Sequence, residues 1–163
     1  IAQPLDFLGV NYYTRTVYRA NSKGWFSDVP PTTPPLTDMG WEIYPQGLTE
    51  ILLAIHKRYK LPPVYITENG TGFAGEDVVK DGKINDPLRS DYIKRHIDYA
   101  LKAKREGVNL GGYMVWSGWD NFEWVSGYTK RLGLIYVDFK TQERIPKQSF
   151  YDYKQLIQKY KGI

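Results

Sequence analysis

A carboxylate, Glu68, stands at the end of the apolar run Val64-Tyr65-Ile66-Thr67, and the turn pair Asn69-Gly70 follows at once. The run before it would bury Glu68, and burying an unpaired charge is costly. Either an arginine or backbone amides hold the carboxylate, or a strand delivers it to a place where its charge does chemistry. Two other apolar runs end in similar company. Asn11, Tyr12 and Tyr13 follow Phe7-Leu8-Gly9-Val10, and Trp116, Asp120, Asn121, Glu123 and Trp124 lie at and beyond the end of Tyr113-Met114-Val115-Trp116. Two carboxylates, a phenol able to hydrogen-bond one of them, and Trp faces able to stack on a sugar are the ingredients of glycoside hydrolysis. By spacing alone, Glu68 and Glu123 are the pair such chemistry would employ.

The elements needed to position these residues alternate along the chain. After the first strand and a long loop, Leu48, Ile51, Leu52, Ile55 and Tyr59 recur at helical spacing until Lys60-Leu61-Pro62-Pro63 stops them. The Glu68 strand follows, then a Gly-rich loop. Asp86-Pro87 opens a helix with Ile93, Ile97, Ala100 and Leu101 on one face, closed by Glu106-Gly107. The third strand is expected at 113–116 and a hairpin excursion at 132–139. Pro146 leads into a last helix carrying Phe150, Tyr153, Leu156, Ile157 and Tyr160. The order βα, βα, βα predicts an α/β fold with parallel strands and helices outside. In a (β/α) barrel the C-terminal strand ends converge on one pocket, but three units close no barrel and leave two raw sheet edges. The segment from Thr14 to Tyr44, with Pro30-Pro31 and Pro34-Pro35, is too long for a routine connection and reads as a loop walling a binding site.

Composition narrows the classes. With 163 residues, 42% of them hydrophobic and 25% charged, the chain has the make-up of one ordinary globular domain. Its net charge of +4 comes from basic residues interspersed in helical patterns rather than clustered, which argues against a nucleic-acid partner. The absence of cysteine excludes a disulfide framework and thiolate chemistry. His56 and His96 both fall in helical stretches without ligand spacing, so no metal site is expected, and no apolar stretch has the length of a membrane span. The first residues, Ile1-Ala2-Gln3-Pro4, carry neither a starting Met nor a signal-peptide pattern.

The residues also carry a resemblance. Asp6 to Thr14 (DFLGVNYYT), Tyr65 to Gly70 (YITENG), Trp116-Ser117 through Asp120-Asn121-Phe122-Glu123-Trp124, and Gly127-Tyr128 with Lys130-Arg131-Leu132-Gly133 occur in the order found in glycoside hydrolase family 1, which this chain resembles over nearly its whole length. The resemblance is to the C-terminal portion of that family. It implies that residues 1–163 supply the sixth, seventh and eighth units of a single TIM (β/α)8 barrel.

It further implies a retaining β-glycosidase acting on terminal β-D-glucosyl or galactosyl residues. Glu68 resembles the catalytic nucleophile and Tyr13 the phenol that orients it, with Asn11 a polar liner nearby. Glu123 is similar to the family's ligand for the distal sugar hydroxyls, so it binds the sugar and transfers no proton. Trp116 resembles the floor under the sugar ring, Trp124 a contact at its far edge, and Trp41 the aromatic that meets the leaving group. The family's acid/base belongs to an Asn-Glu-Pro motif that these 163 residues do not contain. Two departures bear on specificity: Gly118-Trp119 replaces aliphatic residues, and Leu132 stands where a Phe is common, removing an aromatic wall near the sugar. The expected partners are a small β-glycoside and the N-terminal part of the same barrel, with no cofactor, and the expected compartment is the cytoplasm. Two other readings are a non-hydrolytic carbohydrate-binding barrel and a structural half-barrel fragment.

Overall fold

The computed structural model describes residues 3–162. The strands β1 (Leu8–Asn11), β4 (Val64–Glu68) and β5 (Leu110–Tyr113) form a parallel sheet in the order β1-β4-β5. Helices α1 (Gln46–Arg58), α2 (Pro87–Arg105) and α3 (Gln148–Tyr160) follow them in turn. Two antiparallel hairpins are inserted, β2 (Val17–Ala20) with β3 (Phe26–Val29), and β6 (Ile135–Val137) with β7 (Arg144–Pro146).

The pleat sorts each strand into two faces. Leu8, Val10, Val64 and Ile66 point toward the helices, where Val64 and Ile66 meet Leu48 and Leu52 of α1, Ala100 and Ala103 of α2, and Leu110. Leu48, Leu52, Val64 and Ile66 are all fully buried, and each such side chain is worth about 1.5–3 kcal/mol of hydrophobic stabilisation. Phe7 and Tyr65 lie against each other edge to face, with Phe7 54% exposed. A second core joins Tyr92, Ile93 and Ile97 of α2 to Phe73, Leu134 and the inner face of α3.

Helix ends follow local chemistry. Lys57 and Arg58 occupy the last turn of α1, where positive charge suits the helix dipole. Asp86 sits at the N-cap of α2 but makes no side-chain cap; Glu76 reaches in and accepts from the amides of Leu88 (2.7 Å) and Arg89 (3.2 Å) instead.

The expected third strand is displaced. Regular pairing covers Leu110–Tyr113 rather than 113–116, because Val64 to Ile66 pair with Leu110 to Tyr113; Met114 and Trp116 retain only single amide bonds, to Ile66 O and Asn69 O. The predicted hairpin at 132–139 is real in its first arm only, since its partner is Arg144–Pro146. The segment Thr14 to Tyr44 is not an unstructured loop. It contains the β2–β3 hairpin, and its return limb is tied to the strand ends by Asp38 N to Gly72 O (2.8 Å) and Thr14 Oγ1 to Glu42 O (2.8 Å).

Candidate active site

At the C-terminal end of the sheet, β1 and β4 stay paired up to the partners Asn11 and Glu68, and the Tyr12 amide still donates to Glu68 O at 3.0 Å. Tyr13 and Glu68 therefore emerge side by side, and the Tyr13 hydroxyl donates to Glu68 Oε2 at 2.8 Å. Burial of the phenol, reinforced by the hydrogen bond to Glu68, raises the Tyr13 pKa far above the ordinary phenol range. Tyr13 therefore keeps its proton and serves as a donor to the carboxylate. Asn11 is exposed beside them and its Oδ1 accepts from Thr67 Oγ1 at 2.7 Å. Trp41 packs against Tyr13, with ring centroids 5.5 Å apart.

The next strand end supplies a second pair. Trp116 Nε1 donates to Glu123 Oε1 at 2.9 Å, so the indole and the carboxylate hold one another in place. The Trp116 amide donates to Asn69 O at 3.0 Å, which ties this pair to the residue after Glu68. Gly70 makes the approach possible, since a Cβ there would lie 1.7 Å from the Trp116 carbonyl oxygen. Trp124 projects freely at 87% exposure from a one-turn 3-10 helix, Trp124–Ser126. Trp119 is 56% exposed along a surface groove that includes Phe122, Tyr128 and Phe139.

Leu132 needs correction as a sugar-lining residue. It is 3% exposed, and its carbonyl accepts from the Ser117 amide at 3.1 Å, so it packs behind the Trp116 segment instead of facing a ligand.

The loop bearing Glu123 rests on a buried ionic cluster that sequence reasoning did not find. Asp120 accepts from Lys147 Nζ (2.9 Å), Arg131 Nη1 (2.6 Å) and the Gly133 amide (3.0 Å). Lys147 also bridges to Asp77, Asp77 pairs with Arg89, and Arg89 pairs with Asp86, which in turn accepts from the Ser149 amide and hydroxyl. Three anions thus face three cations, and Arg89, Lys147, Asp86 and Asp120 are all nearly or fully buried. Burial pushes the Lys147 ammonium below its usual pKa. The only sequence signal was Asp86 and Arg89 at helical spacing, which also fits an ordinary solvated pair.

Acidic and aromatic side chains gathered at the C-terminal ends of parallel strands, with helices outside, define part of a (β/α)8-barrel enzyme site. The chain belongs to glycosyl hydrolase family 1, whose model matches residues 1–162. It is 47% identical over 162 residues to β-glucosidase A of Thermotoga maritima, covering 96% of this chain and 35% of that protein. A 6-phospho-β-galactosidase of Clostridium acetobutylicum is 42% identical, with 93% of this chain and 36% of that protein covered. The solved structure of the T. maritima β-glucosidase in complex with glucoimidazole superposes with a TM-score of 0.90 at 47% identity, over 95% of this chain and 35% of that one. The chain thus spans about a third of the length of these relatives and forms the C-terminal part of a TIM barrel. Among the described residues no helix is long and apolar enough to cross a membrane.

Proposed function

We propose that residues 1–163 provide the sixth to eighth units of a single (β/α)8 catalytic domain that hydrolyses terminal, non-reducing β-D-glucosyl or galactosyl residues with retention of configuration. The observation that carries this reading is the 2.8 Å hydrogen bond from Tyr13 Oη to Glu68 Oε2 at adjoining strand ends. In the first step a Glu68 oxygen bonds to the anomeric carbon as the glycosidic C–O bond breaks. The departing oxygen takes a proton from an acid/base carboxyl that lies outside this chain. In the second step the same group removes a proton from water, the water oxygen attacks the anomeric carbon, and Glu68 departs as a carboxylate. Tyr13, protonated throughout, holds the attacking oxygen in line.

The neighbouring groups bind. Trp116 offers a flat face to the sugar ring, and Glu123, already aligned by the Trp116 indole, accepts from distal hydroxyls. Trp124 meets the sugar's far edge, Trp41 the leaving group, and Asn11 the space beside Glu68. The glucoimidazole complex of the T. maritima relative supports a glucose-shaped ligand.

The reading is tested on the complete barrel by following the anomer first released from a β-glycoside by NMR, before mutarotation. Release of the β anomer is expected, together with addition of one sugar mass to the Glu68-containing peptide when a slow-leaving fluoro-sugar is supplied. First appearance of the α anomer would mean inversion, and Glu68 would not be the nucleophile. Glu68→Gln should abolish turnover while sugar binding stays within about tenfold.

A further inference from the structure

Beyond the Asn11–Glu68 pair the β1–β4 ladder gives out, and Tyr12 N to Glu68 O is the bond that ends it. Tyr13 lies one residue past that point, so its alignment with Glu68 depends on something other than backbone pairing. Two buried side chains occupy the position where the ladder would have continued.

Tyr92, on α2 and 1% exposed, reaches between the strand ends, and its hydroxyl donates to the Tyr13 carbonyl at 2.8 Å. The same hydroxyl accepts from Asn69 Nδ2 at 3.2 Å. Asn69, fully buried and directly after Glu68, gives its amide also to Tyr12 O at 2.7 Å. Its Oδ1 accepts from the Tyr113 hydroxyl, and its backbone oxygen from the Trp116 amide. One side-chain pair therefore touches all three strand ends of the site.

Tyr92 is itself braced. Its ring lies 3.9 Å from the His96 imidazole, and His96 Nδ1 donates to the Tyr92 carbonyl at 2.8 Å, which leaves Nε2 without a hydrogen. A core built only for stability would satisfy this space with apolar groups, because buried polar atoms add little once their desolvation is counted. Among the described residues, the Tyr92 hydroxyl and the Asn69 amide nitrogen bond only to each other and to the backbone that carries Tyr12 and Tyr13.

We propose that Tyr92 and Asn69 are positioning residues that set the separation of Tyr13 Oη and Glu68 Oε2. The proposal rests on the glycosidase reading for its kinetic consequence and on geometry alone for its structural one. The chain of contact runs from the outer helix, through Tyr92, to the backbone of Tyr13, and only then to the nucleophile, so neither residue needs to meet the sugar.

The test is Tyr92→Phe in the complete barrel, which keeps the ring and removes only the hydroxyl. Tyr13→Phe is introduced into both backgrounds and kcat and KM are measured separately. Tyr92→Phe is expected to lower kcat with little change in KM. Tyr13→Phe should then cost at least about fivefold less in the Tyr92→Phe background than in the unmodified barrel, as expected of coupled sites. Equal fold-losses in the two backgrounds would overturn the proposal. A crystal structure of the Tyr92→Phe barrel gives a second, activity-independent answer: the Tyr13–Glu68 separation should open beyond hydrogen-bond reach, about 3.5 Å. An unchanged 2.8 Å would overturn the positioning role whatever the kinetics show. An unmodified barrel without glycosidase activity would refute the glycosidase reading alone, and the crystallographic separation would still decide this one. If Tyr92→Phe does not fold, Tyr113→Phe, which frees the Asn69 amide to turn, is read by the same two measurements.

Discussion

Lys147→Met removes one positive charge from the cluster behind the Glu123 loop while nearly preserving volume. The ammonium is fully buried and bridges Asp77 and Asp120. Without it, three anions face two cations in a largely buried space. Breaking a buried pair by removing one partner costs about 3–5 kcal/mol, most of it the penalty of an uncompensated charge and not the intrinsic worth of the bond. The lower end applies here. Asp120 keeps Arg131 and the Gly133 amide, and Asp77 keeps Arg89 and is 14% exposed. A loss of about 3 kcal/mol is therefore expected in urea unfolding of the complete barrel at neutral pH. Adding Asp77→Asn restores two anions against two cations and should recover at least about 1 kcal/mol of the loss. A single variant within about 1 kcal/mol of the parent, or a double variant worse by the sum of the two single losses, would refute a buried, charge-balanced cluster.

Glu123→Ala removes the acceptor for Trp116 Nε1 and, on the proposed glycosidase reading, a ligand of the distal sugar hydroxyls. A charge-assisted bond of about 1.5–3 kcal/mol translates to one to two orders of magnitude in kcat/KM, and deoxy sugars lacking the distal hydroxyls should discriminate less between parent and variant. Burial holds the His96 pKa down to about 4, so the folded state resists a proton that the unfolded chain binds from about 6.5 downward. Stability should be unaffected above that pH and fall by up to about 3 kcal/mol as pH drops from 6.5 to 4, a sensitivity that His96→Gln should reduce in acid urea titrations. Residues 1–163 produced alone should be aggregated or molten, because β1 and β5 leave open edges and Phe7 and Met114 are half exposed; a monodisperse monomer with a sharp melt would count against this.

The parts of the fold that were legible in the sequence are those with a clean period. Leu48, Leu52 and Ile55 marked α1, Ile93, Ile97 and Ala100 marked α2, and Val64 to Thr67 marked β4 with its terminal carboxylate. The third strand was misplaced because Gly111 and Gly112 have no side chains to show a pattern, while the apolar Met114 and Val115 beyond it do. The β2–β3 hairpin escaped notice because it buries almost nothing, leaving no alternation of apolar and polar residues to read. At the site, strand-end residues were legible as a list, but the bonds among them were not. Lys147 and Arg89 look like any surface cation until folding brings Asp77, Asp86 and Asp120 around them, and Leu132 looks like a wall residue until its burial is seen.

The Tyr13–Glu68 bond joins residues 55 positions apart, and both ends of that bond, of the Trp116–Glu123 bond and of the ionic cluster lie within this one stretch. That has a consequence for recombination between related barrels. A crossover ahead of Phe7 would transfer Glu68, Tyr13 and Trp116 as a unit and sever none of these bonds. A crossover between Tyr13 and Glu68 would join partners that had never been matched to each other. On the proposed function, chimeric barrels made at the first boundary should inherit their sugar preference from the donor of this segment.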